Sequence, residues 1–459
     1  MDLPVEAWGL SSANVVKRPE VRYSGTQDIA GIVSVPSTAS APGILTAPTP
    51  RQSSHVALLT GGADEPYAYG LATALMSKRV TIDLIANDEL ERPEFHRSAL
   101  VNFLNLRGDQ RPDASFVSKA FRVSVYYAKL IRYAARARPR IFHILWNNKF
   151  ELLDRTALMA YYKLLGRKIV LTAHNVNAAK RDCRDGYLNR LTLRIQYQLS
   201  DHIFVHTNKM KLELIEEFGV PDSRATVIPF GINNAVPTTP LSFEEAKQQL
   251  GLTEGRKSIL FFGNIAPYKG LEDLIAALKQ LWSHENDYQL IIAGRPKGDD
   301  KYWDAIQTSL REDVASGRVL LRAEYIPDSE TELYFKAADV LVLPYRHIYQ
   351  SGVLFLGQSF GLPVLVADVG SLKDEIVEGK TGFAFKPENP MDLARSIRTY
   401  FNSDLYRNLQ NRRREIRADA IERHSWDVVS EITTGIYARL LHTSFGAELP
   451  KSAASSARS

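Results

Sequence analysis

Lys269 lies in the run Gly263-Asn264-Ile265-Ala266-Pro267-Tyr268-Lys269-Gly270, between an apolar stretch and a helix-forming one. An ammonium at that place, with the free amides of a helix start beside it, suits a bound diphosphate. The helix N-terminus carries partial positive charge and the lysine adds a full one. A second place of the same kind is Gln350-Ser351-Gly352-Val353-Leu354. Ser351 is expected to cap a helix there, and Gly352 leaves the amides uncovered for a phosphate. Arg346, just before it, can add a two-pronged contact or sit in solvent at the rim. Each segment taken singly also reads as an ordinary capped helix or a surface lysine.

His174-Asn175 directly follows the apolar run 168–173. An imidazole there can orient or deprotonate a hydroxyl, because its resting pKa is close to neutrality; a hydrogen-bonded turn histidine is the plainer reading. Gly61-Gly62 can turn amides toward the same diphosphate from an opposite wall, or form only a tight turn. Trp146-Asn147-Asn148 also ends an apolar run, so the indole can stack on a sugar and the amides can bond to it. A buried tryptophan is the alternative.

Such residues need elements to hold them. Short apolar runs at residues 55–60, 81–86, 141–145, 169–173, 202–206 and 226–228 alternate with helical stretches, and a second series follows at 258–262, 289–293, 319–325, 340–343 and 364–367. Alternating β and α implies parallel sheets covered on both faces. Ligands of such sheets bind beyond the carboxyl ends of the strands, which is where the candidate residues fall. We therefore expect an α/β chain of two Rossmann-like domains facing across a cleft. The expected boundaries are 54–232 for an acceptor-binding domain, 233–245 for a polar, proline-containing linker, and 246–425 for a nucleotide-sugar-binding domain. A helix over 426–445 is expected to return to the first domain, and the Ser/Pro/Ala-rich segment 1–53 and the tail 446–459 are expected to be disordered.

Composition narrows the class. Of the 459 residues, 45% are hydrophobic and 24% charged, which are ordinary globular values. One cysteine, Cys183, excludes an internal disulfide framework and a Cys-rich zinc site and suits a reducing compartment, so cytoplasm is the expectation. No apolar run reaches the ~20 residues that span a bilayer, and the start of the chain lacks an export signal. The net charge of +5 is mildly basic, and the more telling feature is local, in the stretch 119–140. There Lys119, Arg122, Lys129, Arg132, Arg136, Arg138 and Arg140 interleave with Tyr126, Tyr127, Leu130, Ile131 and Tyr133, without an acidic residue. Such a segment can lie on an anionic membrane, at the inner face of the cell membrane, or can be a solvated helix face packed on the core. Nucleic acid is not an expected partner, since nothing resembles a recognised binding module.

The order Gly61-Gly62, Thr172-Ala173-His174-Asn175, Val227-Ile228-Pro229-Phe230-Gly231, Gly263 with Pro267-Tyr268-Lys269-Gly270, Ala293-Gly294, Pro344-Tyr345, Gly361-Leu362-Pro363 and Gly379-Lys380-Thr381-Gly382 resembles the family 4 glycosyltransferases of the GT-B fold. The resemblance implies transfer of a sugar from a UDP- or GDP-linked donor, with retention of configuration and no metal or other cofactor. It implies that Gly263, Asn264, Lys269, Gly270, Gln350, Ser351, Gly352 and Val353 hold the donor, that Gly294-Arg295 lies by the nucleotide, and that His174 faces the acceptor. Two departures stand out. Asn264 occupies a place where many members carry arginine, leaving Arg295 or Arg346 to compensate. Ile348 and Leu356 occupy the places of a glutamate pair, so no carboxylate in that loop is assignable as a nucleophile. Rival readings are an epimerase on the same plan, or a non-catalytic sugar-nucleotide component of a polysaccharide assembly complex.

Overall fold

The computed structural model describes residues 54–442 apart from 63, 109–115, 149, 182–184, 233–235 and 299. The terminal segments expected to be disordered, Cys183 and the start of the expected linker lie outside the described residues.

Among the described residues, thirteen strands form two wholly parallel sheets. The first contains β1 (His55–Leu59), β2 (Thr81–Ala86), β3 (Val101–Asn105), β4 (Ile141–Ile144), β5 (Lys168–Thr172), β6 (His202–Val205) and β7 (Ala225–Val227), in the order β3-β2-β1-β4-β5-β6-β7. The second contains β8 (Lys257–Phe262), β9 (Tyr288–Ala293), β10 (Val319–Arg322), β11 (Val340–Leu343), β12 (Val364–Ala367) and β13 (Gly382–Phe385), in the order β10-β9-β8-β11-β12-β13. Side chains of a strand alternate between faces, so a strand buried on both sides is apolar throughout. In β1, Ala57 and Leu59 pack on one side while Val56 and Leu58 pack on the other. Ile259 and Phe261 of β8 are likewise divided from Leu260.

Strand order reverses between β1 and β4 in the first sheet and between β8 and β11 in the second. At such a switch point the crossovers leave to opposite faces, and a crevice opens beyond the strand ends. The chain places Gly61-Gly62 after β1, Trp146 after β4, the Lys269 loop after β8 and Pro344-Tyr345 after β11.

One difference from expectation concerns the connection between lobes. Residues 243–245 of the expected linker are helical: Ser242 and Glu245 form a reciprocal capping box for helix Phe243–Gln249. This helix packs on helix Asp328–Ala337 of the second lobe, with Ala246 in its core. The last described helix, Trp426–His442, packs on helix Glu65–Ser77 and sends Val429, Ile436 and Tyr437 into the core of the first lobe. There the Tyr437 hydroxyl meets His143 Nδ1 at 2.6 Å, and His143 Nε2 meets the Thr172 hydroxyl at 2.8 Å. Burial lowers the His143 pKa to about 3, so it is a neutral core histidine with both nitrogens partnered.

The two crossings between lobes are bonded to each other. Ile232 N donates to His424 O at 3.2 Å, His424 Nδ1 donates to Phe230 O at 3.2 Å, and Trp426 Nε1 donates to Ile232 O at 2.7 Å. The Trp426 ring lies where a Cβ on Gly70 or Gly231 would stand, 2.1 and 2.4 Å from its atoms.

Candidate functional site

The loop after β8 is built to hold Lys269. Pro267–Lys269 make one 3₁₀ turn, and Gly270 follows in the left-handed region at φ 65° before helix Leu271–Trp282 begins. A Cβ on Gly270 would stand 2.0 Å from Pro344 O, so only glycine lets the β8 and β11 loops approach this closely. Arg346 N donates to Tyr268 O at 2.9 Å and fastens the same junction.

Lys269 is only 6% exposed. Its Nζ donates to the Tyr345 hydroxyl at 2.6 Å and stands 3.9 Å from the centre of that ring, an arrangement that fixes the ammonium by a hydrogen bond and a cation–π contact together. Tyr345 is fully buried, and burial pushes its phenol well above the usual range, so it stays neutral. Ser351 Oγ lies 3.4 Å from the same hydroxyl. Ser351 thus occupies the N-cap position of helix Gly352–Ser359 without its side chain capping that helix; the expected cap is replaced by a link to Tyr345.

Lys269, Gln350, Ser351, Gly352 and Val353 line a cleft of about 330 Å3 between the lobes, with Phe262, Tyr325, Ile326, Asp328 and Leu356 from the same lobe. The first lobe supplies Asp64, Pro66, Tyr67, Phe230 and Gly231. Asp64 and Tyr67 were not singled out in the sequence. The signal for Asp64 was an N-cap pattern: its carboxylate accepts from Tyr67 N at 3.3 Å, with Pro66 in the first turn of helix Glu65–Ser77. Asp64 adopts φ 45°, which aspartate tolerates better than most residues. It opens to the cleft yet is hemmed in by protein, and desolvation pushes its pKa up to about 6. Asp328 is also raised, by burial.

The other expected donor residues are elsewhere. Gly263, Asn264, Gly270 and Gly294 shape the loops behind the cavity rather than lining it, and a Cβ on Gly294 would meet Gly263 O. Arg295 is exposed, 5.9 Å from the Tyr325 ring at the mouth. Arg346 is not turned to the cavity. Its guanidinium grips Asp273 at 3.0–3.1 Å and Glu272 at 2.9 Å, and the Asp273 hydrogen bonds hold it more firmly charged than usual. Two acidic residues in the first turn of helix Leu271–Trp282 outweigh the anion contact expected of Arg346.

In the first lobe, Gly61 turns at φ 64°, and a Cβ there would stand 2.5 Å from Trp146 O. Gly62 is exposed and abuts Arg107, whose guanidinium also donates to Gly61 O. Trp146 stacks flat on His174, centroids 4.0 Å apart and planes 2° from parallel, so its partner is protein. Asn147 exchanges hydrogen bonds with Gln196 at 2.8 and 3.4 Å. His174 does not line the cavity. It stands directly behind Tyr67, 4.6 Å away edge-to-face, with Asn175 half-buried beside it. Desolvation lowers the His174 pKa well below 6.5, so the ring is neutral at neutral pH. Among the described residues no group of three or more His, Cys, Asp or Glu is placed to hold a metal ion.

Two family models together cover both lobes: "Glycosyltransferase Family 4" matches residues 61–236 and "Glycosyl transferases group 1" matches residues 242–422. The chain belongs to the family 4 glycosyltransferases. It is 25% identical over 246 residues to a D-inositol 3-phosphate glycosyltransferase of Corynebacterium glutamicum, a match covering 51% of this chain and 59% of that relative. A Methanocaldococcus jannaschii relative described as an uncharacterized glycosyltransferase is 28% identical, covering 52% of this chain and 60% of its own length. The chain thus spans about 60% of the length of these curated relatives. The fold matches sucrose-phosphate synthase from Thermosynechococcus elongatus with a TM-score of 0.68 at 16% identity, covering 85% of this chain and all of that one. It also matches Anabaena HepE, determined with UDP and glucose, with a TM-score of 0.63 at 18% identity, covering 85% of this chain and 99% of that one. The architecture is GT-B, with paired Rossmann-like lobes.

Proposed function

We propose that this protein transfers a hexose-like sugar from a UDP- or GDP-linked donor to a glycan or lipid-linked acceptor, with retention of configuration and without an obligatory metal. The observation that carries this reading is Lys269: an ammonium held by Tyr345 on the floor of the interlobe cleft, beside the first turn of helix Gly352–Ser359. The leaving group of such a reaction is a diphosphate anion. A fixed cation and oriented amides stabilise the charge as it develops without having to reorganise. The UDP and glucose held by Anabaena HepE, which shares the fold, favour a uridine diphosphate sugar as the first donor to try. Lobe closure around the bridged crossings would bring Asp64 and Tyr67 over the donor and exclude water.

The test is incubation with a panel of nucleotide sugars, reading free nucleotide. Release with one donor, lost on Lys269→Met, is the expected result. No release with any donor, slow hydrolysis included, would overturn the reading.

The acceptor side of the proposal rests on helix Phe116–Arg136. Phe121 is 70% and Ile131 45% exposed, next to exposed Lys129, Arg132 and Arg136, which suits an anionic membrane surface. Flotation with phosphatidylglycerol vesicles, abolished by Phe121→Asp with Ile131→Asp, is expected. Equal flotation with neutral vesicles would remove the charge argument. No described helix is long and apolar enough to cross a membrane.

A further inference from the structure

His206, the residue after β6, is 5% exposed and lies among Tyr67, His174 and Phe230, with ring centroids 5.7, 4.9 and 5.0 Å away. Its two nitrogens face different partners. Nδ1 faces Ile228 O at 3.3 Å, and Nε2 faces His174 Nδ1 at 2.9 Å. A carbonyl oxygen can only accept, so the hydrogen of His206 is on Nδ1. A neutral imidazole carries one hydrogen, and desolvation keeps both rings neutral. His206 Nε2 is therefore a bare lone pair, and the contact between the rings is a hydrogen bond only if His174 donates from its own Nδ1. That leaves His174 Nε2 as a lone pair too. It is buried and has no hydrogen-bond partner among the described residues.

We propose that His206 is a positioning residue which locks His174 in the Nδ1–H form, so that His174 Nε2 accepts a hydrogen bond from a hydroxyl of the bound sugar and does not donate one. The proposal rests on the sugar-transfer reading for the identity of the hydroxyl, while the tautomer itself follows from the chain Ile228 O, His206, His174. Trp146, stacked flat on the other side of His174, keeps the ring plane fixed along this line. An unsatisfied buried acceptor is uncommon in a folded protein and is relieved when a donor arrives. A sugar hydroxyl supplies that donor. His174 stands one side chain behind the cavity wall formed by Tyr67 and Phe230, so the hydroxyl reaches it as the Tyr67 edge gives way.

The test combines a spectrum that needs no substrate with a kinetic split that does. In the full chain labelled with 15N-histidine, two-bond 15N–1H correlations, with His174 assigned through His174→Gln, should report the Nδ1–H tautomer for His174. His206→Gln can present an amide oxygen to His174 and an amide N–H to Ile228 O, so it should keep that tautomer and near-normal turnover. His206→Phe should release it and lower kcat about tenfold, the worth of one hydrogen bond made in the transition state, while nucleotide affinity by calorimetry stays at wild-type level. An Nε2–H tautomer in the unaltered protein overturns the proposal, and so does full turnover in a folded His206→Phe. If His206→Phe does not fold, the wild-type spectrum and His206→Gln decide. If the protein transfers no sugar to any acceptor, the sugar-transfer reading falls while the tautomer arm still judges the relay.

Discussion

Replacing Lys269 with methionine removes a charge from the cleft while nearly preserving volume. The ammonium is pinned between the Tyr345 ring and hydroxyl and is 6% exposed, so it meets a diphosphate already oriented and largely stripped of water. A unit charge about 4 Å from another at an effective dielectric constant of about 20 is worth roughly 4 kcal/mol. The diphosphate is already anionic in the ground state, so part of that energy binds the donor and part lowers the barrier as the leaving group gains charge. We expect kcat/KM to fall on the order of 10²- to 10³-fold, with weaker UDP binding accounting for some of the loss. Nucleotide release at saturating and limiting donor, together with UDP titration by calorimetry, separates the two parts. Tyr345→Phe keeps the ring and removes only the hydroxyl that directs the ammonium, and should cost about tenfold. If Lys269→Met turns over within threefold of wild type, the electrostatic account of this cleft is wrong.

Gly270→Ala must strain a left-handed position and push its Cβ against Pro344 O; we expect about 1–3 kcal/mol of lost stability in urea melts and weaker nucleotide binding, and unchanged affinity would separate the loop from the diphosphate. The Asp64 pKa is raised in the fold, to about 6 from 3.8, so the folded state resists its ionisation and loses stability as pH rises from about 4 to 6. Asp64→Asn should therefore raise Tm at pH 8 and leave it unchanged at pH 4; an equal shift at both would show that ionisation is not the cause. Trp426→Ala should cost about 3–5 kcal/mol by opening a cavity over Gly70 and Gly231 and freeing Ile232 O; a loss under 1 kcal/mol would mean that the crossings stay joined without the indole.

Most of the architecture was legible because buried parallel strands are apolar on both faces, and a run such as 56–59 admits few other readings. The strands that escaped notice are the edges of their sheets. β3, Val101–Asn105, is nowhere fully buried and exposes Asn102, so its apolar run is broken, and β13 opens with Gly382, whose missing side chain lets its backbone lie against Val364. The site was legible where backbone geometry dictates the residue, as at Gly61 and Gly270. It was not legible where partners come from afar. Nothing near Arg346 in the chain announces that Asp273 and Glu272 will take its charge, nor that Tyr345 will orient Lys269 rather than merely end a strand. In the sequence His206 is only the end of an apolar run, because its pairing with His174 exists only once β5 and β6 lie side by side.

The helix Trp426–His442 has a consequence for how the protein is made. Val429, Ile436 and Tyr437 complete a hydrophobic cluster that otherwise draws on residues between Val56 and Phe230, whereas the clusters of the second lobe draw, among the described residues, on those between Phe230 and Ile416. As the chain leaves the ribosome, the half synthesised first is therefore the half finished last. It must wait, with part of one sheet face unsealed, while the later half can close on its own, reversing the usual order in which domains mature during translation.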